Sequence, residues 1–175
     1  MTRRLVCNFA GATCIAVACA GAAGSAAGIR TVTIMDQCDP ATFNAAVGPG
    51  TCTGNSGGVP FDTFIAEITK TQQAGAWHFA PGVVHMRDGE ALQARNKGGE
   101  MHTFTEVQQF GGGFIDLLNQ LSGNPVPAPE CDPTTNHEIQ FVAPGGKTDP
   151  DVEEPGVHHY QCCIHPWMRT DIIVR

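Results

Sequence analysis

Nine residues near the C-terminus restrict this chain more than any others: Tyr160-Gln161-Cys162-Cys163-Ile164-His165-Pro166-Trp167-Met168. Two residues separate Cys162 from His165, and two more separate His165 from Met168. A thiolate, an imidazole and a thioether in one short loop suit a soft, redox-active metal such as copper. Sulfur donors favour Cu(I), and imidazole accommodates both oxidation states. Three side chains do not complete such a site, so a second imidazole must come from elsewhere. His102, in Gly98-Gly99-Glu100-Met101-His102-Thr103, is the residue the sequence offers. The fold must then bring together positions some sixty residues apart.

The cysteines add a second constraint. Arg3 and Arg4 followed by the apolar run Leu5 to Ala20 read as an export signal over residues 1–27. Small-residue cleavage sites stand at Ala18-Cys19-Ala20 and Ser25-Ala26-Ala27. Thr2-Arg3-Arg4 weakly resembles a twin-arginine signal, and Ala16-Val17-Ala18-Cys19 a lipoprotein site. The expected location is periplasmic or extracellular, where disulfides persist. Removing the signal takes Cys7, Cys14 and Cys19 with it and leaves Cys38, Cys52, Cys131, Cys162 and Cys163. An odd number in an oxidising compartment points to one thiol with another task. If Cys162 binds metal, four remain for two disulfides.

Cys38 and Cys52 bracket a loop-like stretch with Asp39-Pro40 and Gly48-Pro49-Gly50, so a local bridge is the simplest expectation; two buried free thiols are the alternative. On a strand, successive side chains point to opposite faces, which puts Cys162 and Cys163 apart. Cys163 can then reach a neighbouring loop, and Cys131 is its natural partner. The bland alternative joins Cys162 to Cys131 and leaves His165 and Met168 as core residues.

The chain is long enough for one domain with a core, with 175 residues of which 42% are hydrophobic. With 21 Gly and 12 Pro and few helical periodicities, it reads as all-β. Strands are expected at Ile29 to Met35, Phe64 to Thr71, Ala76 to Ala80, Val83 to Met86, Glu90 to Asn96 and Met101 to Val107. Others follow at Glu138 to Val142, Val157 to Ile164 and Asp171 to Val174. Phe114, Leu117, Leu118 and Leu121 share helical spacing and predict one short helix. Neither an internal repeat nor a second domain is evident over residues 28–175, so a single β-sandwich domain is expected. The net charge of -7, without a Lys/Arg cluster to neutralise phosphates, gives no sign of nucleic-acid binding. The mature chain is expected to have no transmembrane span.

Tyr-x-Cys-x-x-His-Pro-Trp-Met, preceded by Gly-Gly-Glu-x-His-Thr, resembles the cupredoxins, the plastocyanin, azurin and amicyanin group of blue copper proteins. The resemblance covers about Ala76 to Arg175, with Phe79-Ala80-Pro81 and Asp88-Gly89-Glu90 in places where the family has similar turns. It implies a Greek-key sandwich, to which this chain adds a disulfide-bearing N-terminal extension and one short helix. It implies His102, Cys162 and His165 as copper ligands and Met168 as the weak axial ligand. It also implies one-electron transfer with a redox protein partner by a monomeric electron carrier, not an enzyme. In that family the loop histidine has an exposed edge in an apolar patch; here that implies His165, with Pro166 and Trp167 at the rim. The extension before Ala76, the helix and Pro-rich loop after His102, and Cys163 depart from the family pattern.

Two other functions share these ligands or this fold: a copper-delivery module, and a copper-free interaction domain whose cysteines only form disulfides. An oxidase fits poorly, because Tyr160 and Gln161 interrupt any His-Cys-His arrangement around His158 and His159, and no His-x-His pair lies upstream. His78, His85 and His137 read as surface or strand-end residues. No Ser-His-Asp pattern or phosphate loop is present.

Overall fold

A computed structural model describes residues 28–54, 58–134 and 139–175. The export-signal reading of residues 1–27, His137 and the expected strand start at Glu138 lie outside the described residues. In chain order the elements are β1 (Ile29–Met35), α1 (Pro40–Ala46), α2 (Phe61–Thr71), β2 (His78–Ala80), β3 (Val83–Met86), β4 (Ala91–Asn96) and β5 (His102–Thr103). They continue with β6 (Thr105–Val107), α3 (Asp116–Leu121), β7 (Phe141–Val142), β8 (Asp151–Val152), β9 (Gly156–Gln161) and β10 (Arg169–Val174).

The strands form two four-stranded mixed sheets, ordered β2-β1-β4-β8 and β3-β10-β9-β6, and a short β5-β7 ladder. β1 runs parallel to β4, and β10 parallel to β3. Val32, Ile34, Leu92 and Ala94 from one sheet and Val84, Met86, Ile172 and Val174 from the other enter one buried cluster. Period-two alternation supplies this core: in β10, Ile172 and Val174 are buried while Ile173 between them is half-buried. The result is the expected β-sandwich.

The stretch expected as one strand from Met101 to Val107 divides its partners. β5 pairs with β7 (His102 opposite Val142), whereas β6 pairs with β9 (Thr105 opposite Gln161). This change of partner carries the chain past the loop that follows β9.

The segment expected as a strand at Phe64 to Thr71 is instead α2. Its alternating pattern also satisfies helical spacing, since Phe64 and Ile68, four apart, are its buried residues. Pro60 precedes the first helical residue, Asp62 lies in the first turn and Lys70 in the last, in keeping with the helix dipole. Gln72 ends it in the left-handed region, its N–H bonded to the Ile68 carbonyl. The loop expected after Asp36 also holds a helix, α1, whose N-cap Asp39 accepts from the Thr42 N–H with Pro40 just inside. Neither helix is long enough to form without packing. Phe43 of α1 stacks on Trp77 with centroids 5.7 Å apart, and Phe64 of α2 lies 4.5 Å from the same indole. α3 falls within the expected helix, but Leu117 points to solvent.

Both expected disulfides are present, Cys38–Cys52 and Cys131–Cys163, and Cys162 is the free cysteine among the described residues. The adjacent cysteines do point apart. Cys162 enters the main core, whereas Cys163 joins a small cluster with Val107, Ala128 and Cys131. Phe110-Gly111-Gly112-Gly113 makes a close backbone approach. A Cβ on Gly113 would lie 1.8 Å from the Cys163 carbonyl oxygen, where the Phe114 N–H now bonds.

Candidate metal centre

His102 comes from β5, Cys162 follows β9, and His165 sits in the loop between β9 and β10. One donor atom from each lies within 4.8 Å of the others. Both imidazoles turn Nδ1 toward the sulfur: Cys162 Sγ is 3.7 Å from Nδ1 of His102 and 3.8 Å from Nδ1 of His165. Met168, on the same loop, is fully buried. The loop is closed by its own backbone, with the Cys162 N–H donating to the Met168 carbonyl and the Met168 N–H to the His165 carbonyl. The sequence-predicted His102, Cys162 and His165 are thus brought together in one buried place.

Thr103 ties β5 to this loop from two sides. Its N–H points at Cys162 Sγ at 3.4 Å, and its hydroxyl accepts from the Cys163 N–H at 2.7 Å. An N–H directed at the sulfur favours the thiolate over the thiol.

Behind the histidines lie two carboxylates that no spacing in the sequence revealed. Asp36, at the end of β1, accepts from Nε2 of His102 at 2.8 Å, both side chains being fully buried. Glu100 accepts from the Trp77 indole at 2.6 Å and stands 3.8 Å from Nε2 of His165, within charge range but beyond a hydrogen bond. The backbone of Gly98-Gly99-Glu100 wraps around Asp36, with the Gly99 and Glu100 N–H groups donating to its carboxylate.

These contacts decide the charges of the metal-free site. Burial pushes the Cys162 thiol up, but hydrogen bonds and positive charge from His102 and His165 outweigh it and hold the thiol well below its ordinary value. Burial works against protonation of His102, yet Asp36 and Cys162 raise it to about 9. Burial likewise opposes ionisation of Asp36, but His102 and the N–H groups of Gly99 and Glu100 bring it down to about 2. The metal-free site is therefore an imidazolium–thiolate pair backed by a carboxylate.

A pH dependence follows for the metal-free protein. The raised His102 contributes stability that is complete below 6.5 and lost as pH rises through about 9. The depressed thiol contributes stability that is complete above 9.0 and lost as pH falls below it. Between pH 6.5 and 9 one gain offsets the other loss, so thermal melts should show a plateau there. Below it, stability declines toward acid as Cys162, and last Asp36 near pH 2, take up protons. In Cys162→Ser the thiol share is lost together with the part of the His102 share that Cys162 supplies, and the part held by Asp36 should turn the plateau into a shallow decline with rising pH; an unchanged plateau would exclude the ion pair.

The histidine edge expected at the surface is small here. His165 is only 3% exposed, Pro166 is buried and Trp167 half-buried. The cause is α2: Phe64 lies edge-on to the His165 ring at 6.4 Å and against Trp167 at 6.0 Å. A segment misread as a strand therefore covers the histidine. His158 and His159 stay outside the cluster. His158 Nδ1 meets Glu106 at 2.6 Å, and His159 Nδ1 meets Asp171 at 2.7 Å.

No protein-family model and no curated protein sequence matches the chain. Among solved structures it is similar to a purple cupredoxin from Nitrosopumilus maritimus, at 15% identity and TM-score 0.44 over 83% of this chain and 98% of that one. It is also similar to amicyanin variants. One in its Cu(I) state has 14% identity and TM-score 0.38 over 58% of this chain and 76% of its own. Another, reduced, has 16% identity and TM-score 0.36 over 59% and 77%. The copper named for the amicyanins is theirs.

Proposed function

We propose that the chain holds one copper ion between His102, Cys162 and His165, with Met168 as a weak axial ligand, and carries single electrons between redox partners. The observation that carries this reading is the set of two Nδ1–Sγ distances, 3.7 and 3.8 Å, in a buried cluster. Separations of this size would leave room for one small ion bonded to all three atoms, at roughly 2.3 Å from sulfur and 2.0 Å from nitrogen. A His₂Cys donor set is one suited to copper electron transfer. Copper would supply the one-electron couple.

The chain's own residues do the rest. The closed loop and the β5 ladder fix the donors before the ion arrives, so little rearranges between oxidation states. Phe64, Trp167 and the core exclude water from the site. Two disulfides and the expected export signal suit an oxidising compartment, and no helix among the described residues is long and apolar enough to cross a membrane. The partner is a redox protein, and the working form a monomer. A delivery module is the weaker reading, because donors this deeply buried exchange an ion slowly.

The test is the visible spectrum of the copper-loaded protein. Cu(II) added to the metal-free form is expected to give an intense thiolate-to-copper band and narrow hyperfine splitting in electron spin resonance. A colourless product with no titratable thiol would leave only the interaction-domain reading. A coloured product stripped within seconds by a mild chelator would establish delivery instead.

A further inference from the structure

We infer that Asp36 is a positioning residue of the metal centre: it fixes the metal-facing form of His102 and weights the centre toward the oxidised ion. This rests on the copper reading above. The carboxylate is fully buried and sits in a built cradle. Oδ1 accepts from the N–H groups of Gly99 at 2.8 Å and Cys38 at 3.3 Å. Oδ2 accepts from the Glu100 N–H at 3.1 Å and from His102 Nε2 at 2.8 Å. Four donors, two on each oxygen, leave no place for a carboxyl proton. The group is therefore an anion in a medium where water cannot screen it.

The turn that forms the cradle is shaped around that anion. A Cβ on Gly98 would lie 1.8 Å from Asp36 Oδ2, so any other residue there would displace the carboxylate. The surrounding chain is keyed to the same turn. Cys38 is bridged to Cys52, Cys52 pairs with Glu100, and the Thr53 N–H donates to the Gly99 carbonyl. The N-terminal segment is thus a wall of the centre and not an appendage to it.

Two consequences follow from the chemistry. An acceptor on Nε2 keeps the ring proton there, leaving the Nδ1 lone pair for the ion; such outer partners set ring orientation and ligand basicity. A fixed negative charge behind a ligand also favours the more highly charged ion, so Cu(II) gains more than Cu(I).

Asp36→Asn tests both. The neutral amide can offer its oxygen to only one of the two donor pairs, Gly99 with Cys38 or Glu100 with His102. The fixed negative charge is lost in either orientation, and the acceptor on Nε2 is lost in one of them. Cu(II) affinity is expected to fall by about 10- to 100-fold. It should fall at least tenfold more than Cu(I) affinity, which corresponds to a rise of about 59 mV or more in reduction potential for one electron. Equal loss in both oxidation states, with the potential unmoved, would reduce Asp36 to a structural residue and overturn the inference. A wild-type protein that takes up no copper would instead sink the function proposed above. Wild-type protein loaded with Cu(I) gives a second reading that does not depend on the variant folding. Nuclear magnetic resonance should show a slowly exchanging His102 proton on Nε2, and its absence there would equally overturn the inference.

Discussion

Cys162→Ser is expected to abolish the thiolate-to-copper absorption completely, while the double variant Cys131→Ser/Cys163→Ser keeps it. The two cysteines are neighbours in sequence but lie in different clusters, one beside two imidazoles and the other in a disulfide. Serine at 162 offers no soft donor, so no intense band can form whatever else binds. Serine at 131 and 163 removes a cross-link between positions 32 apart, which costs about 4 kcal/mol in the chain-entropy account. The double variant should therefore be coloured but melt well below the wild type. Ultraviolet–visible spectra and thermal melts of the copper-loaded proteins separate the outcomes. Equal bleaching in both variants would show that Cys162 has been wrongly assigned as the ligand.

Phe64→Ala is expected to open the site. Phe64 is buried and touches Phe43, Phe61, Trp77, His165 and Trp167. Truncating it should cost about 3–5 kcal/mol, the range for a buried aromatic residue replaced by alanine. The functional effect should be larger than the loss of stability implies. With the helix face thinned, His165 gains access to solvent, and small reductants and chelators gain access to the ion. Stopped-flow reduction and the rate of copper loss to a chelator should each rise by an order of magnitude or more. Rates equal to the wild type, in a variant that is still folded, would mean that α2 is not the barrier and that electrons and ligands enter by another face.

Much of the site was legible without coordinates, and the reason is local. Cys162, His165 and Met168 lie within seven residues, and a loop that short cannot scatter its side chains far. The odd cysteine number and the alternation of strand faces separated Cys162 from Cys163 before any contact was known. The Gly-Gly turn before His102 marked a strand start, and β1, β3 and β10 were readable because one face of each is buried. α2 was not, since Phe64 and Ile68 fit both periods over so short a window, and only packing against Trp77 and Phe43 decides between them. The covered His165 follows from that same error. Asp36 was out of reach for a different reason: an acidic residue after a strand reads as a turn, and nothing local tells it from a ligand's partner 66 positions away.

By itself, the sequence determined which donors are available, which cysteine is spare, and that the chain would build sheets around an apolar core. These are matters of composition and short-range spacing. Long-range packing set the rest: a carboxylate just after the first strand stands behind one imidazole, and a helix closes over the other. Both depend on chain segments meeting across long loops, where burial and hydrogen-bond satisfaction act on the whole packing at once.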